Sequence, residues 1–444
     1  VEALNYNQVA TWGANSYGIF AQSLGGGGGN GGMAAAGSLS TSTNANQINV
    51  SVGGKGGTGN DAGRVTVGNY SNVFTYGESA AGILAQSIGG GGGNGGNSFA
   101  GSFTREGART IGVTIGGSAG AGGSGNLVTV TNAGSVFTAS NEAHGIFAQS
   151  VGGGGGKGGS ATTVAWTAGS QPSNAVSLNL NVAIGGNGGV AGYGSNVVVR
   201  NEGRIQTSGD NAYGIFAQSI GGGGGYGGDA RIQQKQPQFK DLTNIFAAPL
   251  ASSLPGTASS QVTNETSETK SWSVNLAVGI GGKAGSGGVG GKVTVENVGE
   301  IVTLGRNSSA IFAQSVGGGG GVGGSTSTET GGGQGDRAIQ LGFGLGGAGG
   351  QGNSGDSVTV NHSGSIATFG DASHGIFAQS VDKTLIGLYD FEVFIHNNNA
   401  GSQFLQHGGN NFIGFFGQCL LAPSYTFGFF ERCFCFGKLF VGCF

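Results

Sequence analysis

Apolar and polar residues alternate along this chain in short runs, and the same runs return at intervals. "VTV" stands at Val65–Val67, Val128–Val130, Val293–Val295 and Val358–Val360, with "VVV" at Val197–Val199. In an extended backbone the outer two side chains point one way and the middle one the other, the period of a β-strand. Two residues on stands Asn69, Asn132, Asn201 or Asn297, with His362 in the fifth copy. Asn tolerates left-handed backbone, so this column reads as a turn. A second apolar position follows at Val73, Val136, Ile205, Ile301 and Ile366, and a Thr column at Thr75, Thr138, Thr207, Thr303 and Thr368. "GIFAQS" and its variants supply a third short strand. No 3.6-residue pattern competes between Val1 and Val381.

The third strand carries the clearest repeat. "GIFAQSLGGGGGNGG" at Gly18 returns as "GILAQSIGGGGGNGG" at Gly82, "GIFAQSVGGGGGKGG" at Gly145, "GIFAQSIGGGGGYGG" at Gly214 and "AIFAQSVGGGGGVGG" at Ala310, and ends as "GIFAQSV" at Gly375. Its Gln residues, Gln22, Gln86, Gln149, Gln218, Gln314 and Gln379, recur at a period of roughly 64 residues, stretched once between Gln218 and Gln314. The stretched interval holds an insertion at about 229–271, with Pro237, Pro249 and Pro255, which reads as a loop thrown out between repeats. The stretch from Val65 to Ser87 holds three strands and two turns, the length of one coil of a parallel β-helix. The fold class expected is therefore all-β, a parallel β-helix (β-solenoid) built from ~64-residue repeats of about three coils each. At an interstrand spacing of ~4.8 Å, roughly 17 such coils would make a rod about 80 Å long.

Composition adds one difficulty. Of 444 residues, 103 are Gly and only 5 are Pro, without the strict Gly-X-Y period of collagen. Five consecutive glycines lose backbone entropy and packing, unless backbone must approach backbone closely. The "GGGGG" runs read as a thin, Gly-lined turn or coil face, with disordered spacers as the alternative. A companion motif, "VSVGGKGGTG" at Val50, recurs at Val113, Val182 and Val278 and is assigned to the third coil. Charge is sparse, 18 Lys+Arg against 21 Asp+Glu, with no basic stripe for nucleic acid. No apolar run of about 18 residues occurs before Val381, and no signal-peptide pattern follows Val1.

The combination of "VTVTNAGSVFT" with "HGIFAQSVGGGGGKGG" resembles the Gly-rich passenger repeats of large bacterial autotransporters, over about Val1 to Val381. The resemblance implies a right-handed parallel β-helix exported by type V secretion. It would sit on the cell surface (outer membrane-associated) or be secreted, with adhesion or host contact as its role. Partners would be host or surface ligands met through the solenoid face. Membrane attachment would come only through a translocator barrel absent from this chain. Open strand edges would favour end-to-end self-association.

Residues 382–444 depart from the pattern. They hold 13 of the 26 Phe and all four Cys, at Cys419, Cys433, Cys435 and Cys443, and the period breaks in mid-motif. This tail is expected to be non-native or unstructured. A hydrophobic anchor over Phe412–Phe430 is the rival reading.

Candidate chemistry is thin. "AQSVG" at Ala148–Gly152 matches a nucleophile elbow, with Ser150 as nucleophile. Five copies at the repeat period, without a following helix or a fixed His and Asp, point instead to a structural Ser. "GGGGGKG" at Gly152 approaches a phosphate loop, but Gly158 stands where Ser or Thr is needed, and Lys157 is replaced in the other copies. G-G-x-G-x-D occurs at Gly56–Asp61 and Gly224–Asp229 without the tandem neighbours of a calcium roll. His144 and His374 share an exposed variable column three repeats apart, on the order of 40 Å at the coil spacing. The Cys show C-x-C but no C-x-x-C pair. No catalytic, cofactor-binding or metal residue is assigned, and no enzyme activity is expected. The function expected is a non-enzymatic passenger or stalk module. A low-complexity Gly-rich structural or disordered matrix protein is the alternative, and a polysaccharide-acting β-helix enzyme the third reading.

Overall fold

Successive strands find their partners one whole repeat away. In the computed structural model, Val65 pairs with Val128, Val128 with Val197, Val197 with Val293 and Val293 with Val358, all parallel. The structure describes residues 1–382 except 43, 106–107, 169–175, 236–270 and 332–336. Beyond these it describes Phe394–Asn397, Phe404–His407 and Phe412–Phe415. The chain is an all-β parallel β-helix of five parallel sheets. Numbered in the order the chain meets them, sheets 1 to 5 take Val65–Asn69, Val73–Thr75, Ile83–Ile88, Ser98–Arg105 and Arg109–Ile115 from the second turn.

This register corrects the expected coil count. One repeat makes one turn, not three. Val65 to Ser87 forms three sides of a coil but does not close it, because the Gly run carries the chain away to two further strands. Equivalent residues therefore step from Glu2 through Thr66, Thr129, Val198 and Thr294 to Thr359 in only five intervals. At ~4.8 Å each these span about 24 Å, against the expected rod of about 80 Å. The companion motif at Val50 belongs to sheet 5 and its following Gly run, not to a separate coil.

Each turn is a long, flattened loop. The chain runs out along sheet 3, the first Gly run and sheet 4, then back along sheet 5, the second Gly run and sheet 1, and sheet 2 closes the end. Sheets 1 to 3 enclose an aliphatic core stacked column on column, including Val65, Val67, Val73, Ile83, Val130, Ile205 and Ile311. The space between sheets 4 and 5 is different. Four alanines, Ala161, Ala183, Ala230 and Ala277, and Ile232 share it with buried Thr110, Thr163, Asn179, Asn181 and Asn275.

The Gly runs are ordered, and they are straight spans rather than turns. Gly25, Gly28 and Gly31 donate to Ile88, Gly91 and Asn94 carbonyls of the next turn. Gly54, Gly57 and Asn60 donate to Gly32, Gly29 and Gly26 of the facing run. Bonding at every third residue is the period of polyproline II, which has no internal hydrogen bonds and satisfies its backbone through neighbours. The runs thus form a two-layer bundle joining the two lobes. Of each three residues, two face other backbones: a Cβ on Gly92 would collide with the Gly120 carbonyl, and one on Gly93 with that of Gly29. The third faces outward and accepts any side chain, as at Asn30, Asn94, Lys157, Tyr226 and Val322.

The Asn column is also corrected. Left-handed backbone occurs at Asn15, Ser79, Glu142, Asn211, Asn307 and Ala372, the turn before sheet 3, and not at Asn69, Asn132, Asn201 or Asn297. Those Asn are buried, and each Nδ2 bonds a carbonyl two residues on. Along the column Asn69, Asn132 and Asn201 also donate to the next Asn Oδ1 at 2.7 Å, as Asn132 does to Asn201. Hydrogen bonding, not backbone freedom, selects Asn there.

The insertion leaves at the far edge. Ala230–Lys235 is a sheet 4 strand and Trp272–Ile280 a sheet 5 strand, so the segment between them joins those two sheets, and 236–270 lie outside the described residues. In the tail, Phe394–Asn397 adds to sheet 1 beside Val358–His362, and Phe404–His407 pairs antiparallel with Phe412–Phe415. The remainder of the tail, with its four Cys, lies outside the described residues.

Candidate interaction faces

Ser150 is buried at the end of its sheet 3 strand, and its Oγ accepts the Ser195 amide at 2.9 Å. Ser87 and Ser315 do more: Ser87 Oγ accepts from Asn126 and donates to the Gly63 carbonyl, and Ser315 Oγ accepts from Asp356 and donates to that of Gly291. The Ser of "AQSxG" therefore pins sheet 3 to the end of the returning Gly run. It is a staple, with both hydroxyl functions committed at Ser87 and Ser315.

The other motif residues serve the spacing between turns. Asp61 Oδ1 accepts the Ser124 amide at 2.6 Å. Asp229 Oδ1 accepts the Ser325 amide and hydroxyl at 2.8 Å each, and the amide bond is the chief reason its carboxyl lies below the usual range. The two Asp stand on opposite runs and do not approach one another. The Lys157 amide bonds Asn94 Oδ1, another side chain reaching one turn along the stack. Among the described residues no group of three or more His, Cys, Asp or Glu is placed to hold a metal ion.

His144 is not simply exposed. Its ring stacks 5.6 Å from Phe147, 5.3 Å from Tyr213 and 5.6 Å from Phe216, and Nδ1 accepts the Tyr213 amide at 3.1 Å. Burial pushes its pKa down to about 4, partly opposed by the Glu142 carboxylate. His374 lies three turns away, about 14 Å at the turn spacing rather than about 40 Å. Around them sheet 3 presents two ladders. Phe147, Phe216, Phe312 and Phe377 stack at 4.8–4.9 Å. Gln22, Gln86, Gln149, Gln218, Gln314 and Gln379 bond amide to amide throughout. The Phe rings cover each other's faces, so they offer edges rather than platforms to a ligand.

The outward face of sheet 5 is of another kind. Ile48, Ile111, Leu180, Leu276 and Leu341 form one column, Val50, Val113, Val182, Val278 and Phe343 a second, and Val52, Ile115, Ile184, Ile280 and Leu345 a third. The alternate residues turned inward are Asn, Ser, Thr, Gly or Ala over most of this sheet. This wing is inverted, polar or small inside and aliphatic outside. The alternation was visible in "NQINVSV" and "VSLNLNVAI" but gives no sign of which face turns outward.

Searches of protein-family models, of curated proteins and of solved structures return no match to this chain.

Proposed function

We propose that this chain is a non-enzymatic structural module of a bacterial cell-surface or secreted protein, a passenger segment of the autotransporter kind, acting in adhesion or surface contact. The observation that carries this reading is how the recurring polar residues are used. The Asn, Gln and Ser columns bond from turn to turn or across the turn, and so build a scaffold. The residues that vary between turns, such as Asn30, Asn94, Lys157, Tyr226 and Val322, are those turned outward. A scaffold with constant interior ladders and changing outward columns suits display of a surface along a repeating body. The resemblance of its "GIFAQS" and Gly-run repeats to passenger repeats supplies the expected location.

Antibodies raised against the chain test this on intact cells of the source organism. Labelling of unbroken cells, removed by protease added outside, is the result expected. Labelling that appears only after lysis would contradict it.

A further inference from the structure

The outward face of sheet 5 has no described element packed on it. The first turn separates the two sides, with Ile48 69% exposed against 6% for the inward Asn49, while the outward columns of the three inner turns are half-buried by their stacked neighbours. Aliphatic ladders of this kind ordinarily face a core, and a contiguous apolar patch beyond ~300–600 Å² marks an interaction site. The three columns cover about 400 Å² of a face that, at five strands by ~4.8 Å and seven to nine residues by ~3.3 Å, measures about 550–700 Å² in projection. That approaches the ~800 Å² which each partner contributes to a standard stable interface.

From this face we infer that two copies of the chain associate through sheet 5, face to face. The argument for a second copy is the pattern of the face. Its columns stand about 6.6 Å apart along the strands and its rows ~4.8 Å apart along the stack. An identical face repeats both spacings, so ridges on one copy enter grooves on the other over the whole area, as when two sheets pack ~10 Å apart. The three columns themselves carry no charge, and the polar margin consists of Asn46 and Arg109 at the strand starts on the same face and of Lys55, Asn187 and Lys283 on the adjoining Gly run. A two-fold pair of this kind is closed and uses the same patch on both subunits.

Sedimentation velocity of the full chain under reducing conditions tests the inference. A dimer is expected, with a Kd at or below about a micromolar. Val50→Lys and Phe343→Lys, at opposite ends of the face, are each expected to weaken it at least about tenfold, because each buries a charge without a partner. Thr129→Lys, on the outward side of sheet 1, should leave it unchanged. Far-UV circular dichroism verifies folding, and if one variant unfolds the other decides. A chain that stays monomeric at about 100 μM would overturn the inference, including one that binds phosphatidylcholine vesicles in place of itself. Association untouched by either sheet 5 variant would overturn it equally.

Discussion

At the scale of single residues, the phase of a glycine within its run decides whether it can be replaced. A Cβ on Gly156 would collide with the Gly93 carbonyl, whereas one on Gly154 meets nothing closer than the Gly223 carbonyl at 3.5 Å. Gly156→Ala should therefore destabilise by about 1–3 kcal/mol, the usual range for forced overpacking, and backbone against backbone has little room to relax. Gly154→Ala should be neutral or gain a few tenths, since it only restricts the unfolded chain. Thermal melts followed by circular dichroism check this, and equal losses at both sites would contradict the bundle. The rule was legible in part: Asn30, Asn94, Lys157, Tyr226 and Val322 mark one open phase, and Lys55 and Thr58, three apart, mark another. Five glycines in a row conceal it, because they contain no odd residue to set the frame. Asn69 is ambiguous for a related reason. Asn serves both left-handed turns and buried amide ladders, and only the neighbouring turn tells them apart.

Within one sheet, identical residues stack at a fixed spacing, and any odd member feels the whole ladder. His144, two residues before its sheet 3 strand, packs beside the Phe ladder, held neutral among Phe147, Tyr213 and Phe216 with Nδ1 accepting a backbone amide. Its pKa, lowered by burial to about 4, lies below the ordinary 6.5. Above pH 6.5 the ring is neutral folded or unfolded; between 6.5 and about 4 only the unfolded chain takes the proton. Stability should therefore fall with pH through that window, by at most about 3 kcal/mol. Burial lowers His362 too, and it adds in the same direction. His144→Phe should remove the larger part of the excess loss between pH 7 and 4, measured as the difference in denaturation midpoint from the parent chain. An unchanged slope would contradict the buried, neutral ring. The strands themselves were readable from "VTV", "GIFAQS" and the Thr column, since period two and recurrence both mark them.

For the whole molecule, the long-range pairing is hidden in the sequence even though its period is plain. Three strands between Val65 and Ser87 looked like a closed coil, and closure depends on where the chain goes next, which the Gly runs obscured. The observed turn instead spans two lobes joined by a glycine bundle, and the molecule becomes a broad slab a few strands deep. From strand and polyproline II rises, each layer runs about 70 Å from sheet 3 to sheet 4, against ~24 Å along the stack. The most direct test is a pulsed electron–electron distance between spin labels at Glu2→Cys and Thr359→Cys, with the four tail Cys changed to Ser. These positions share one sheet 1 column five intervals apart. One turn per repeat gives about 24 Å between backbones, broadened by the label arms. A separation of about 70 Å, threefold longer at the same strand spacing, would mean three coils per repeat and would contradict the architecture described here.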